Sequence, residues 1–101
     1  MTKTKETNTG VKETKDYFVF VGKKGVMAYV LAVVTQFGEG AKEVIIKARG
    51  KSISKAVDVA EIIRNKHEEI ILSGIEIATE EVVTDDGRPL KISSIAIKLK
   101  K

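Results

Sequence analysis

The chain reads as α+β: one mixed four-stranded sheet in the order βαβαββ, with both helices on one face and a C-terminal hairpin projecting beyond the core. Short β-branched runs ended by glycine occur at Tyr17–Val21 and Glu43–Arg49, and each is followed by a stretch with apolar residues at helical spacing. Two further segments, 70–84 and 91–100, flank the turn-forming run Asp85-Asp86-Gly87-Arg88-Pro89. A length of 101 residues suits one such domain and leaves no room for two lobes with a cleft between them.

Residues 1–15 are rich in Thr, Lys and Glu and nearly devoid of apolar side chains, so they cannot offset the entropy of being ordered. They are expected to form a disordered tail, leaving 16–101 as the folded domain. The continuous run Tyr17-Phe18-Val19-Phe20-Val21 reads as a strand buried on both faces. That reading places its aromatic rings in the core rather than on a base-stacking surface. Val26–Phe37 carries apolar residues at 26, 30, 33, 34 and 37 and stops near Gly38 and Gly40, as a helix does. Glu43–Arg49 is the second strand. After Gly50, Ile53, Ala56, Val57, Ala60 and Ile63 recur at helical spacing, with Ser52 placed to cap the helix. In the last strand Ile95, Ile97 and Leu99 alternate with Ala96, Lys98 and Lys100, the pattern of a half-buried strand. Lys91, Ser93 and Ser94 show less of a core face, which is why the hairpin tip is expected to project.

Composition removes whole classes of chemistry. With no cysteine there is no disulfide, thiolate zinc site, iron–sulfur cluster or cysteine nucleophile. The one histidine, His67, would have to serve any Ser-His-Asp triad, and a metal site would need carboxylates alone, so neither a metal nor a cofactor is expected. The longest apolar run, Val26–Val34, spans nine residues, and the polar N-terminus lacks a signal-peptide core. A soluble, cytoplasmic protein without a membrane partner is expected.

Charge is segregated. The net charge is +4, yet residues 17–55 hold seven basic and two acidic residues, whereas 56–90 hold three basic and nine acidic ones. One polyanion-binding face and one solvated or self-associating face would produce this division. The basic residues concentrate in two strand-to-helix turns, Gly22-Lys23-Lys24-Gly25 and Arg49-Gly50-Lys51-Ser52. Cations at a helix N-terminus are locally unfavourable, but with the free amides and the dipole they make a seat for a phosphate. Both turns follow the carboxyl ends of parallel strands and should share one sheet edge. Solvated lysines on turn-making glycines account for either turn singly, and less well for the pair. Neither turn matches GxxxxGK[ST] or GxGxxG, which disfavours a mononucleotide. The hairpin supplies Arg88 at its tip and Lys91 behind it, a ribbon suited to a duplex groove, although Asp85 and Asp86 lie beside them. The many glutamates show no spacing that singles out an acid/base pair.

At Val21-Gly22-Lys23-Lys24-Gly25-Val26-Met27-Ala28-Tyr29-Val30-Leu31, and again from Ile46 to Asp58, the chain closely resembles the Alba family of small archaeal chromatin proteins. The likeness continues through Glu61-Ile62-Ile63-Arg64-Asn65 and the Asp86-Gly87-Arg88 turn, in the family's order and spacing. It implies a fold like the C-terminal domain of a bacterial translation initiation factor. It also implies a homodimer, or a heterodimer with a paralogue, that binds double-stranded DNA and RNA with little sequence preference, associated with the chromosome. By this resemblance Lys23 and Lys24 take the place of the family's paired lysines, Lys23 being the acetylation candidate. Lys47, Arg49, Lys51 and Arg88 fall at further contact positions, and Lys55 and Lys91 complete the expected basic set. Gly25 stands where the family often has proline, and His67 where an aromatic residue commonly supports contacts between dimers. The reading is a non-enzymatic protein that coats or compacts DNA. Its alternatives are an RNA-binding subunit or RNA chaperone in RNA processing, and a module binding a phosphorylated metabolite.

Overall fold

A computed structural model describes residues 17–101. The expected tail, 1–15, lies outside the described residues. Within them the elements are β1 (Tyr17–Phe20), α1 (Val26–Gly38), β2 (Glu43–Arg49), a 3₁₀ turn (Gly50–Ser52), α2 (Ile53–Lys66), β3 (Ile71–Val83) and β4 (Pro89–Lys100). The sheet order is β1-β2-β4-β3, with β1 parallel to β2 and the other neighbours antiparallel. This is the expected βαβαββ mixed sheet, with β4 inserted between β2 and β3.

Alternation decides which face is covered. Val44, Ile46 and Ala48 of β2 stand opposite Leu99, Ile97 and Ile95 of β4, and all six are buried in one core with the helices. The core takes Tyr29, Val30, Val33 and Phe37 from α1 and Ala56, Val59, Ala60 and Ile63 from α2. α1 ends where Gly40 turns into the left-handed region at φ 106° and the Ala41 amide donates back to the Gln36 carbonyl at 3.0 Å. Val57, which the sequence places on the apolar stripe, is 42% exposed, and Val59 fills the core in its place.

Among the described residues no helix lies on the opposite face of the sheet. Consequently β1 is not buried on both sides as its composition predicts: Val19 faces the core, while Phe18 and Phe20 are 43% and 69% exposed. An edge strand with helices on only one side has an open face, and the valine–phenylalanine alternation puts both rings there.

β2 ends its pairing with β4 at Arg49↔Ser94, but β3 and β4 continue as a two-stranded ribbon from Thr79↔Ser93 to Val83↔Pro89. Those five pairs carry the hairpin about 16 Å past the rest of the sheet, at ~3.3 Å per residue. No residue between Thr79 and Ser93 is buried, so the tip projects beyond the core as expected.

Candidate nucleic-acid interface

Parallel pairing sets the first feature of the site. Because β1 and β2 run side by side in the same direction, the turns after them are neighbours, joined by a hydrogen bond from the Val21 amide to the Lys47 carbonyl at 2.8 Å. Antiparallel pairing of β4 sends the hairpin off the same end. Both basic turns and the hairpin thus share one end of the sheet.

The first turn is fixed from behind by two side chains. The Tyr29 hydroxyl, one helical turn into α1, accepts from the amides of Gly22 at 2.9 Å and Lys24 at 3.1 Å. Lys55, from α2, donates to the carbonyls of the same two residues, at 2.7 Å each. These four bonds tie β1, α1 and α2 to one loop and leave Lys23 and Lys24 exposed on its outer side. Burial pushes the Tyr29 hydroxyl up, but the amides of Lys24 and Gly22 and the charges of Lys55 and Lys24 outweigh it, holding the phenol below its ordinary range. Two of the three ammonium protons of Lys55 are committed to the backbone, so this lysine positions the turn rather than standing on its outer surface.

The second turn is made by Gly50, whose φ of 59° lies in the left-handed region. A Cβ there would come within 2.9 Å of Ile92 Cδ1, so the turn rests against the base of the hairpin. Ser52 does not cap α2 with its side chain. It sits at φ −85°, ψ −4°, already wound into the 3₁₀ turn, whereas a capping hydroxyl needs an extended backbone to reach the N2 or N3 amide. Gly25 likewise offers no side-chain cap to α1, and neither helix has an acidic residue in its first turn. Among the described residues, then, neither helix start has a side-chain cap or a first-turn acid to offset its positive end, and Lys23, Lys24 and Lys51 are exposed beside them.

The remaining cations divide by face. Lys47 and Arg49 point to the open face. Lys47 Nζ lies 5.7 and 6.0 Å from the ring centroids of Phe18 and Phe20, and Arg49 pairs with Glu80 across the sheet at 3.2 Å. A groove of about 680 Å³ joins this face to the turns, bringing Lys23, Lys47, Arg49 and Ser52 around one hollow with Phe20. Arg88, at the hairpin tip, pairs with Asp86 at 3.1 Å. The Thr84 hydroxyl also donates to Asp86, and that bond is the chief reason its carboxyl is held below the usual carboxylate range. Lys91 stands opposite Glu81 on the other face of the ribbon from Arg49, since it alternates with Ile92. Sequence reasoning missed Tyr29. A tyrosine one turn into an otherwise apolar helix was the available signal, because a buried phenol needs a polar partner.

Among the described residues no group of three or more His, Cys, Asp or Glu side chains could hold a metal, and no helix is long and apolar enough to cross a membrane.

Fold and site together define a small mixed-sheet protein with one cationic end shaped by two uncapped helix starts and a ribbon. The Alba family model matches residues 17–81, and the chain belongs to that family. A protein from Methanocella arvoryzae named DNA/RNA-binding protein Alba is 52% identical over 88 residues, covering 86% of this chain and 92% of its own. A second of that name from Methanothrix thermoacetophila is 53% identical, covering 86% of this chain and 98% of its own. Among solved structures, Alba from Thermoplasma volcanium superposes with a TM-score of 0.78 at 52% identity, covering 83% of this chain and 99% of that one. An Alba protein from Trypanosoma brucei shares the fold, with a TM-score of 0.69 at 22% identity over 83% of this chain and 68% of its own.

Proposed function

We propose that this protein is a non-enzymatic, sequence-independent binder of double-stranded DNA that coats or compacts the chromosome and also binds RNA. Its relatives carry the name DNA/RNA-binding protein Alba, and chromatin compaction is consistent with the family. The observation that carries the reading in this chain is the adjacency of two basic, uncapped helix starts at the end from which the hairpin projects. Lys23, Lys24 and Lys51 take phosphates there, with the helix amides as additional donors. Lys47 and Arg49 extend the track onto the open face. Arg88 exchanges Asp86 for a phosphate or a groove floor, and Lys91 follows it along the ribbon. Acetylating Lys23 removes one charge and one set of donors, which weakens binding.

A duplex is longer than this end of the sheet, and a homodimer doubles the track. An apolar strip suits that role: Val57 on α2 and Leu72, Ile75 and Ile77 on β3 are exposed, Ile77 at 80%, and Ile53, Ile77 and Ile95 line a hollow there. A second copy, or a paralogue, covers this strip.

Electrophoretic shift with unrelated duplexes across a salt series tests the reading. Equal affinity for different sequences, falling steeply with salt, is expected, because counterion release supplies nearly all sequence-independent binding. Salt-resistant binding to one sequence alone would contradict it.

A further inference from the structure

Phe18 and Phe20 have no part in the duplex track, and their exposure calls for an explanation. They lie side by side on the open face of an edge strand, with ring centroids 6.2 Å apart and planes inclined by only 21°. Phe20 is 69% exposed. An edge strand usually presents charge or proline to solvent, not two phenyl faces. Here the rings have cations for company, since Lys47 Nζ sits within 6.0 Å of both centroids and Arg49 follows on the same face of β2.

We propose that Phe18 and Phe20 form a stacking platform for unpaired bases of RNA, with Lys47, Arg49 and Lys23 holding the flanking phosphates. Exposed aromatic faces bordered by cations are the chemistry that single-stranded nucleic acid requires: stacking is tolerant of sequence, and the charges follow the backbone. The groove lined by Phe20, Gly22, Lys23, Lys47, Arg49 and Ser52 leads from the rings to the phosphate seats of the turns. A strand whose phosphates rest on the turns thus delivers its next bases to the rings. A duplex cannot do this, because its base faces are already covered by their neighbours. Folded RNA offers unpaired, splayed bases in its loops and ends. Arg49 gives up the exposed Glu80 pair for a phosphate readily, since surface ion pairs of this kind hold their partners only weakly.

The platform rests on reading the basic end as a nucleic-acid surface, so duplex binding is measured in parallel. The full chain is titrated against a short unstructured oligoribonucleotide carrying one 2-aminopurine, against the deoxy oligonucleotide of the same sequence, and against duplex DNA. Phe20→Leu keeps an apolar side chain but cannot stack, and Phe20→Tyr keeps the ring. The proposal expects 2-aminopurine quenching with the native chain. It expects roughly tenfold or greater weakening on the RNA with Phe20→Leu, near-native affinity with Phe20→Tyr, and duplex affinity within about twofold throughout. RNA affinity unmoved by Phe20→Leu overturns it, as does a loss confined to single-stranded DNA. An equal loss on duplex and RNA also overturns it, as does a change only in oligomeric state, which would make the rings a contact with a second copy. A native chain that binds none of the three overturns the duplex reading as well, so the two failures are distinguishable.

Discussion

The ammonium of Lys55 donates to the carbonyl oxygen of Lys24 at 2.7 Å, so one basic residue of the expected site holds the backbone of another. A second bond of the same length reaches the carbonyl of Gly22. The charge of α2 is thereby used to shape the turn that α1 springs from.

Lys55→Met keeps the aliphatic stem and removes both bonds. It is expected to lower stability by about 1.5–3 kcal/mol, the range for hydrogen bonds that involve a charged group. Duplex affinity should fall through a loosened turn while the slope of log K against log salt stays near native, because two of the three ammonium protons of Lys55 are held by backbone carbonyls. Denaturant unfolding and a binding salt series check both halves.

The Tyr29 phenol is held below its ordinary value of 10.0, against the opposing push of burial, first by the amides of Lys24 and Gly22 and then by the charge of Lys55. Absorbance titration of the phenols should show Tyr29 ionising early, and Lys55→Met should move it back upward. A folded-state value below the unfolded one contributes stability that is full above the unfolded value and fades as pH falls through the folded one. This contribution therefore exists only at alkaline pH and vanishes at neutrality. At neutral pH the neutral hydroxyl still accepts both amides, so Tyr29→Phe should lower Tm by roughly 5 °C.

Gly25 stands at φ −69°, ψ 159°, and a Cβ there would meet nothing within 4 Å. Proline fixes φ near −65° and is well tolerated at helix starts. Gly25→Pro is expected to raise stability by about 0.5–1 kcal/mol by reducing the freedom of the unfolded chain. Duplex affinity should be unchanged, since Tyr29 and Lys55 already hold the turn. Paired unfolding and binding curves decide the point.

Asp86 at the hairpin tip has a carboxyl depressed below 3.8, first by the Thr84 hydroxyl. Its contribution to the turn is therefore present above 3.8 and lost as pH falls through the depressed value. The Gly87 amide, which donates to the Thr84 carbonyl at 2.9 Å, reports this by NMR during acid titration. Asp86→Ala should loosen the turn at neutral pH. It should also raise duplex affinity about two- to fivefold by releasing Arg88 and removing a repelling charge.

Much of the fold is legible in the sequence. Period and turn residues give the four strands and two helices, though not the 3₁₀ turn, and the alternation of Ile95, Ile97 and Leu99 with Lys98 and Lys100 gives the covered face of the last strand. The two turns are legible as a pair because parallel strands oblige them to be neighbours. What is not legible is what depends on neighbours distant in sequence or on the exact path of a turn. The run Tyr17–Val21 looks fully buried until β1 is known to be an edge with one open face. Ser52 looks like a cap until Gly50 starts a 3₁₀ turn ahead of it. Lys55 looks like one more surface cation, because its partners are backbone carbonyls 33 and 31 residues earlier, to which no local spacing points.

Phosphate binding by the paired lysines is tested most directly by the salt dependence of duplex affinity for Lys23→Ala/Lys24→Ala against the native chain. Each phosphate that the double variant no longer neutralises should make the slope of log K against log salt shallower by about 0.9, so a drop of roughly 1–2 per chain is expected on every duplex tried. A native slope in the double variant, whatever the affinity, would contradict it.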